Sequence, residues 1–230
     1  MRFGVVTFPG SNCDDDAYIA VTEALGAEGV RLWHKDHDLQ GVDVVILPGG
    51  FSYGDYLRAG AIARFSPIMQ EVIEHVRRGA PVLGICNGFQ IACEAQLLPG
   101  ALLRNASQMF VSEMVTVRVE NAATRFTNRY TNGQQLRIPV AHGDGRFTID
   151  DAGLQRLQDD GQVVFRYVDA GGRPTEHSNP NAAMDNIAGI VNARGNVLGM
   201  MPHPERAVDL RCGSGDGLAL FESMLCAVAA

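Results

Sequence analysis

The first half of the chain alternates short apolar runs with amphipathic segments, and this alternation restricts the fold more than any other feature of the sequence. The apolar runs, which we interpret as strands, cover residues 2–8, 28–34, 42–47 and 81–85. Helical patterns lie between and after them, at residues 12–25, 62–78 and 87–97. Strands that alternate with helices are typical of βαβ units, which build a mostly parallel sheet flanked by helices. We therefore predict an α/β fold.

The second half has a different pattern, with longer β-like runs and hairpin-type turns. Candidate strands cover residues 110–119, 135–140, 163–168, 187–192 and 196–201, and candidate helices cover residues 151–158 and 217–228. The first two strands are separated by Thr131-Asn132-Gly133, a hairpin-type sequence. No linker, repeat or low-complexity tract interrupts the chain. We therefore expect one domain over residues 1–230, with an antiparallel excursion beside the parallel sheet.

Charge and hydropathy exclude several kinds of partner. The chain has 19 basic and 26 acidic residues and a formal net charge of −7, which gives no reason to expect nucleic acid. The longest uncharged stretch, residues 79–93, is too short to span a bilayer. The N-terminal apolar run stops at Pro9-Gly10, before the length of a secretion signal. We predict a cytoplasmic protein with neither a nucleic-acid nor a membrane partner.

Lysine and cysteine usage narrows the chemistry further. Lys35 is the single lysine and lies far from any glycine-rich loop, so the phosphate-binding G-x-x-x-x-G-K-[ST] loop is absent. The five cysteines form no C-x-x-C pair, and their odd number argues against a secreted disulfide framework. The H-x-E sequence at His203 lacks the P-C-x-x-C partner of zinc deaminases. We therefore expect no metal site in this chain.

The strongest candidate for chemistry is the segment Gly84-Ile85-Cys86-Asn87-Gly88, where a predicted strand ends and a predicted helix begins. Its G-x-C-x-G pattern is that of a nucleophile elbow, a strained turn that needs glycine two residues before and after the nucleophile. The turn would place the Cys86 thiol at a helix N-terminus, which favours the thiolate. The Asn87 N–H could then stabilise an oxyanion. A buried structural cysteine is an equally good interpretation of this segment alone.

A thiolate nucleophile needs a base, and His203 lies in the most suitable segment, Pro202-His203-Pro204-Glu205. The two prolines keep residues 203–205 extended or turned. At a spacing of two in an extended chain, the side chains of His203 and Glu205 point the same way. Glu205 could then accept a hydrogen bond from one ring nitrogen while the other takes the thiol proton, as in a catalytic triad. A proline-rich turn with an ion-paired glutamate is the structural alternative.

A glycine-rich loop follows the predicted strand at residues 42–47. Glycine lets the backbone approach a ligand closely, and open α/β sheets place their sites at the carboxyl ends of strands. Gly49 or Gly50 could therefore supply the second N–H of an oxyanion hole. A mobile surface turn is the alternative, although the tyrosines and arginine of this loop are residue types that anchor interfaces.

Together, the G-x-C-x-G-x-Q elbow and the late H-P-E segment resemble the class I, or triad, glutamine amidotransferases. Within that class the chain is similar, over nearly its full length, to the glutaminase subunits of phosphoribosylformylglycinamidine synthases. The segments that carry this similarity are residues 8–14, 48–69, 142–147, 186–190 and 199–207, of which residues 50–56 are the most specific. The chain departs from the family at Asp144, where glutamate is usual, and at Ala182-Ala183, where Gly-Ser is usual.

The resemblance implies a fold and a set of roles. The fold would be a single-domain sandwich of the class I glutamine amidotransferase type, with a central, mostly parallel sheet. Cys86 would be the nucleophile, His203 the acid and base, and Glu205 the residue that orients His203. Candidate residues for binding the substrate L-glutamine are Gln90, His142 and Gly143.

The resemblance also implies partners. The similar enzymes assign the ATP-dependent amidation of formylglycinamide ribonucleotide to a separate large synthetase subunit, and a small third subunit completes the complex. ATP and magnesium are therefore expected on the partner subunit, and no cofactor is expected in this chain. Ammonia would have to reach the synthetase without meeting bulk water, where it would be protonated.

Two other functions use the same residues. A stand-alone cysteine hydrolase, such as a γ-glutamyl hydrolase or a peptidase, would have the same elbow and histidine. A binding module that has lost turnover could retain glutamine recognition, although all three triad positions are intact.

Overall fold

The computed structural model of the chain describes the backbone of residues 1–227 and the side chains of residues 1–225. Its strands are β1 (Arg2–Thr7), β2 (Glu28–Trp33), β3 (Val44–Leu47), β4 (Val82–Ile85), β5 (Ala101–Leu103), β6 (Val111–Val119), β7 (Gln135–His142), β8 (Arg146–Thr148), β9 (Val163–Tyr167), β10 (Ile187–Val191) and β11 (Val197–Met200). Its α-helices are α1 (Asp14–Ile19), α2 (Pro67–Arg77), α3 (Asn87–Glu94), α4 (Asp151–Asp159) and α5 (Leu218–Ala227). The last position of the predicted C-terminal helix, Val228, lies outside the described residues.

Nine strands form one mixed sheet in the order β2-β1-β3-β4-β11-β10-β9-β6-β7. The pairs from β2 to β11 are parallel, and those from β11 to β7 are antiparallel. All four residues of β3, and all four of β4, are buried, as expected for parallel strands covered on both faces. The predicted α/β fold, with its parallel centre and antiparallel excursion, is confirmed.

Several predicted boundaries shift for local reasons. The helix predicted over residues 62–78 begins at Pro67, because Ser66 is extended (φ −60°, ψ 140°) as a residue before proline should be. Residues 63–65 form a separate 3₁₀ turn. The hairpin predicted at Thr131 is a turn just before β7, where the Gln134 N–H donates to the Thr131 carbonyl. Residues 120–134 therefore join β6 to β7 as a longer connection.

The sequence analysis missed a two-stranded antiparallel sheet formed by β5 and β8. Each strand has three residues, which is too short to show a period-two pattern. The pairing places Leu102 opposite Phe147, and both side chains are buried. Phe147 also stacks on Phe89 of α3, with ring centroids 5.9 Å apart. This small sheet therefore supports the helix that follows β4.

The order β2-β1-β3-β4 has a topological consequence. Starting from β1, the chain adds β2 on one side and β3 on the other, so the strand order reverses beside β1. Ligand sites in open α/β sheets lie at such a switch point, beyond the carboxyl ends of the strands. The chain continues from these ends into Cys13 after β1, Gly49 after β3, Cys86 after β4 and His203 after β11. Among the described residues, no helix has the length and apolar character that crossing a membrane requires.

Candidate active site

Cys86 lies at a strained turn between β4 and α3. Its backbone has φ 51° and ψ −105°, a left-handed conformation that is unfavourable for a residue with a side chain. The Cys86 N–H donates to the Met200 carbonyl at 2.8 Å, which continues the pairing of β4 with β11. The Phe89 and Gln90 N–H groups donate to the Cys86 carbonyl at 3.0 and 3.2 Å and so start α3. The turn predicted from the G-x-C-x-G pattern is therefore present.

Steric contacts explain both glycines of this turn. A Cβ on Gly84 would lie 2.7 Å from the Gly88 carbonyl oxygen. A Cβ on Gly88 would overlap the Leu47 carbonyl oxygen at the end of β3. Because these neighbours are backbone atoms of buried elements, they could move aside only if the packed backbone itself shifted. The glycines let α3 pack directly against β3 and β4, and that packing fixes the position of Cys86.

His203 and Glu205 form a buried pair. The His203 Nδ1 is 2.6 Å from Glu205 Oε1, and the exposed fractions of the two residues are 1% and 4%. Residues Pro204–Arg206 form one 3₁₀ turn, so the two side chains meet through a turn and not through the extended backbone that the spacing suggested. The His203 N–H donates to the Pro139 carbonyl of β7 at 2.8 Å. This hydrogen bond holds the His203 backbone against the antiparallel half of the sheet.

The imidazole of His203 faces two thiols. Burial lowers its pKa, but the Glu205 carboxylate and the thiols of Cys86 and Cys13 outweigh burial, so the pKa of His203 lies well above its usual value. Within the described part of the chain, Nε2 is buried without a hydrogen-bond partner. The imidazole can therefore hold a proton donated to Glu205 on one side and exchange a second with a thiol on the other.

The oxyanion-hole candidates lie in different places. Gly50 (φ 149°) lines the same cavity as Cys86. The carbonyl of Gly49 accepts hydrogen bonds from the N–H groups of Asn12 and Cys13, and a Cβ on Gly49 would lie 2.8 Å from His203 Cε1. Gly49 therefore packs against the imidazole, whereas Gly50 faces the cavity. Asn87, at the first position of α3, is also buried.

A cavity of about 210 Å³ opens above Cys86. It is lined by the cysteine, by all three candidate glutamine-binding residues, by one oxyanion-hole candidate and by several residues that sequence reasoning did not single out. The full set is Gly50, Phe51, Asp55, Cys86, Gln90, Arg104, Gln108, Phe110, Ala141, His142, Gly143 and Asp144. Phe51 and Phe110 lie at its mouth, with ring centroids 6.3 Å apart and exposed fractions of 44% and 53%. Arg104 and Gln108 of the lining are exposed as well, whereas Gln90 and His142 are buried. The cavity therefore has both apolar and polar side chains at its rim and polar side chains deeper inside. We call it the Cys86 cavity.

Hydrogen bonds hold the walls of the Cys86 cavity. The Gln90 Nε2 donates to the Asp144 carbonyl at 2.6 Å, and its Oε1 accepts from Asn87 Nδ2 at 2.8 Å. Burial, with a smaller contribution from the charge of His203, lowers the pKa of His142 to about 4, so its imidazole is neutral near pH 7. The Gly143 carbonyl accepts from the Asn105 N–H at 2.8 Å. All three predicted residues therefore line the cavity as parts of fixed walls.

Asp55 is a cavity residue that the sequence analysis did not identify. Burial and the negative charge of Asp144 raise the pKa of its carboxyl from 3.8 to about 6, although a hydrogen bond from Asn87 opposes this shift. Such a pair of acids beside a nucleophile is typical of a functional site. The signal available in the sequence was only that Asp55 follows Gly54 in the loop after β3.

Cys13 is the second residue that the sequence analysis did not assign. It lies between β1 and α1, is buried, and its sulfur accepts a hydrogen bond from Arg206 Nη2 at 3.1 Å. Burial raises the pKa of the Cys13 thiol, and the nearby His203 and Arg206 reduce that rise. One sulfur ligand atom of Cys13, one imidazole nitrogen of His203 and one carboxylate oxygen of Glu205 lie within 4.8 Å of one another. The structure therefore places two cysteines beside one histidine.

Comparison with known proteins identifies relatives along most of the chain. Residues 1–214 match the family described as CobB/CobQ-like glutamine amidotransferase domain. A phosphoribosylformylglycinamidine synthase subunit PurQ from Chlorobaculum tepidum is 60% identical over 221 residues, which cover 96% of this chain and 94% of the relative. The PurQ subunit from Thermomicrobium roseum is 56% identical over 225 residues, 98% of this chain and 95% of the relative.

Solved structures show the same likeness. A chain in the structure of PurLQS from Thermotoga maritima is 45% identical, with a TM-score of 0.87, and the match covers 99% of this chain and 98% of that one. Another glutamine amidotransferase from Thermotoga maritima is 17% identical, with a TM-score of 0.60, and the match covers 98% of this chain and 96% of that one. The second likeness shows a shared fold.

Proposed function

The chain belongs to the CobB/CobQ-like glutamine amidotransferase family, and from this premise we propose that it is the glutaminase subunit of a phosphoribosylformylglycinamidine synthase. It hydrolyses L-glutamine and passes ammonia to a large synthetase subunit, which uses ATP and magnesium to convert formylglycinamide ribonucleotide to formylglycinamidine ribonucleotide. The observation that carries this proposal is a cysteine at a strained turn, beside a buried His–Glu pair and below a cavity lined by carboxylates and amides.

We assign the chemical steps as follows. The Cys86 thiolate attacks the side-chain amide carbon of glutamine, the carbon–nitrogen bond breaks, and ammonia leaves with a proton from the imidazolium of His203. This step gives a γ-glutamyl thioester on Cys86. His203 then takes a proton from water, whose oxygen attacks the thioester carbon and expels the thiolate with glutamate. One glutamine and one water give one glutamate, one ammonia and one proton, which the new γ-carboxyl group releases, and the protein returns to its starting state.

The surrounding backbone supports the charge that develops in these steps. An oxyanion forms on the amide oxygen during each attack, and the first N–H groups of a helix have no partner within the helix. Asn87 is the first residue of α3. The isolated bridge between Ser11 and Gly50 uses the Phe51 N–H and the Gly49 carbonyl, not the Gly50 N–H. We therefore assign the N–H groups of Gly50 and Asn87, and not that of Gly49, to the oxyanion.

The charges of the Cys86 cavity match the two ends of glutamine. The α-ammonium group of glutamine needs an anion, and the carboxylates of Asp55 and Asp144 lie on the cavity wall. The α-carboxylate needs a cation, and Arg104 is the arginine among the cavity residues. Gln90 lies close to Cys86, since it begins the second turn of α3. We propose that Gln90, His142 and Gly143 shape the wall against which the amide end of glutamine rests.

The loop after β3 also supports a protein partner. It lines the cavity through Phe51 and Asp55 and then carries three exposed apolar side chains, with exposed fractions of 74% at Tyr56, 91% at Leu57 and 72% at Phe65. Apolar surface at the mouth of a cavity is typical of an interaction site. The large subunit would cover it and keep ammonia from water, and a small third subunit completes the proposed complex. The four cysteines whose side chains are described are free thiols, as is usual in a reducing compartment, and this supports the cytoplasm.

The test is a comparison of two nitrogen sources. The Cys86→Ala variant, assembled with the small subunit and a large synthetase subunit, should lose synthesis from glutamine and keep synthesis from ammonium salts. The matched control is Cys93→Ala, which removes a buried cysteine within α3 that lies outside the Cys86 cavity. Both rates are measured as formation of formylglycinamidine ribonucleotide.

The two rival functions predict different results. A stand-alone cysteine hydrolase would hydrolyse glutamine at the same rate with and without the synthetase, whereas the proposed subunit should be faster in the complex. A binding module that has lost turnover would form no covalent adduct on Cys86 with a glutamine-mimicking electrophile. Either result, with the folded chain in hand, would overturn the proposal.

A further inference from the structure

The loop that follows β3 has a strained backbone. Tyr53, Asp55 and Leu57 have positive φ angles of 55°, 53° and 70°, in the left-handed region that is costly for residues with a side chain. Such a conformation persists only where surrounding contacts hold it. We call residues 51–60 the Asp55 loop, because its Asp55 lines the Cys86 cavity. The Tyr53 hydroxyl, 2.8 Å from His34 Nδ1, anchors the first part of this loop.

The contacts of the Asp55 loop with the start of α3 are long. The Ser52 N–H donates to Asn87 Oδ1 at 3.2 Å, and Asn87 Nδ2 donates to Asp55 Oδ1 at 3.4 Å. The same Nδ2 donates to Gln90 Oε1 at the shorter distance of 2.8 Å. Because hydrogen bonds weaken beyond about 3.2 Å, these contacts alone hold the Asp55 carboxylate loosely. The second part of the loop needs a firmer attachment.

That attachment is an ion pair at the other end of α3. The Arg58 guanidinium donates through Nε and Nη2 to the two carboxylate oxygens of Glu94, the second at 2.7 Å. Such two-point pairs have a fixed geometry and are stronger than single hydrogen bonds. The Glu94 side chain is only 11% exposed, and Arg64 Nη1 donates to the Glu94 carbonyl at 3.0 Å. A Cβ on Gly60 would lie 2.8 Å from the Ile91 nitrogen, so the loop lies directly on α3.

We propose that Arg58 and Glu94 are positioning residues for glutamine binding. Their ion pair holds the Asp55 loop in its strained conformation and so keeps the Asp55 carboxylate in the Cys86 cavity. The isolated chain populates this conformation together with a relaxed one, in which the carboxylate has left the cavity. Since only the strained loop offers an anion to the α-ammonium group, the apparent affinity for glutamine falls with the fraction of strained loop. The effect on glutamine rests on the proposed function, whereas the hold on the loop does not.

The hold on the loop is tested by amide hydrogen exchange on the full-length chain without glutamine. The reporters are the hydrogen-bonded N–H groups of Ser52 and Ala61. Both should exchange about fivefold faster in Arg58→Ala, the order expected for one ion pair of good geometry. The matched control is Arg77→Ala, which removes the exposed pair of Arg77 with Glu74 on α2 and should leave both rates unchanged. Native exchange rates in Arg58→Ala would overturn the proposal.

A double-mutant cycle tests the pair itself. Glu94→Ala should accelerate exchange as much as Arg58→Ala does, and the double variant should exchange no faster than either single variant, because each substitution removes the same interaction. Additive effects would show that the two residues act separately, and the assigned pair would then be wrong.

The consequence for glutamine is tested by steady-state glutaminase kinetics. Arg58→Ala should raise KM for glutamine by about fivefold, with kcat less affected. In an Asp55→Asn background the same substitution should raise KM no further, because Arg58 acts through that carboxylate. Alkylation of Cys86 by iodoacetamide, followed on its peptide, needs no contact with an α-ammonium group and should keep its native rate in Arg58→Ala.

Three results would overturn the positioning role: an unchanged KM in Arg58→Ala, an equal rise in KM with and without the Asp55 carboxylate, or slower alkylation of Cys86. A chain whose loop exchanges as expected but which hydrolyses no glutamine would count against the proposed function only.

Discussion

The turns that hold Cys86 and Cys13 present two thiols to one imidazole, and they differ in almost every other respect. Cys86 has a strained backbone and opens into a cavity that also contains the carboxylates of Asp55 and Asp144. Cys13 has an ordinary negative φ of −118°, lies in a chamber of about 40 Å³ and contacts the guanidinium of Arg206. Proximity to a base is therefore shared, whereas backbone strain and room for a substrate are found at one turn only. The comparison teaches that the strained turn and its cavity, more than the histidine, distinguish Cys86, the proposed nucleophile, from Cys13.

The largest effect on activity is expected from removing the His203 imidazole, which both turns face. His203→Asn should slow thioester formation by ~10²-fold or more, the usual loss for a general base, because neither thiol then has a proton acceptor. Rapid-quench measurement of the acyl-enzyme with glutamine checks this. A normal rate of acylation in the variant would mean that the base has been misassigned.

The next largest effect is expected on stability, from a substitution in the strained turn at Cys86. Gly88→Ala should lower the free energy of unfolding by about 2–4 kcal/mol, because the added methyl overlaps the Leu47 carbonyl oxygen and buried backbone must shift. The matched control is Gly215→Ala, where an added Cβ has no atom within 4 Å, and its change should stay within about 0.5 kcal/mol. Urea unfolding followed by circular dichroism measures both. Equal effects would show that α3 is free to move away from β3.

A third prediction concerns the two carboxylates of the Cys86 cavity, those of Asp55 and Asp144. The pKa of Asp55 is raised to about 6 by burial and by Asp144, so its carboxylate is charged above this pH and neutral below it. If it binds the α-ammonium of glutamine, KM should rise as pH falls through about 6, with kcat less affected. Asp55→Asn should raise KM by about tenfold at pH 8, the loss of one charge-assisted hydrogen bond, and should remove this pH dependence.

Asp144→Asn sharpens the same test. Removing the neighbouring negative charge lowers the pKa of Asp55, so the rise in KM should move to lower pH. A KM that shows no inflection in the native chain, or one that is unmoved in Asp144→Asn, would exclude the proposed contact with the α-ammonium group.

The smallest effect is expected at the second thiol. Cys13→Ala should reduce glutaminase activity by only about two- to threefold, the order of one weak contact to the imidazole. Electrophile labelling of Cys86 should proceed to completion in this variant. A loss as large as that of His203→Asn would show that the two turns act as one catalytic unit.

Sequence reasoning was most successful where chemistry depends on short-range pattern. The pattern around Cys86 predicted a turn whose glycines the structure explains by contacts with the Gly88 and Leu47 carbonyls, and the spacing of His203 and Glu205 predicted a contact that the structure shows at 2.6 Å. Each of these features depends on a few neighbouring residues whose steric requirements are strict. The parallel half of the sheet was predictable for a similar reason, since its strands are short, apolar and bounded by helical patterns.

What the sequence did not reveal depends on long-range packing. Cys13 lies near His203 because β1 and β11 end at the same edge of the sheet, and no local pattern around Cys13 indicates this. Asp55 and Asp144 interact across loops that follow β3 and β7, which a single sequence cannot place side by side. The short strands β5 and β8 depend on their mutual pairing, and not on a periodicity of their own.

The position of β11 has a consequence for synthesis of the protein. This strand pairs with β4 in the middle of the sheet, and His203, the proposed base, follows directly after it. A growing chain therefore carries Cys86, the proposed nucleophile, long before His203 leaves the ribosome. Until β11 inserts, the turn at Cys86 also lacks the Met200 carbonyl that holds its N–H. With the roles proposed above, the nascent protein cannot release ammonia, and the capacity to do so arises in the final stage of folding, when an almost complete chain closes the sheet.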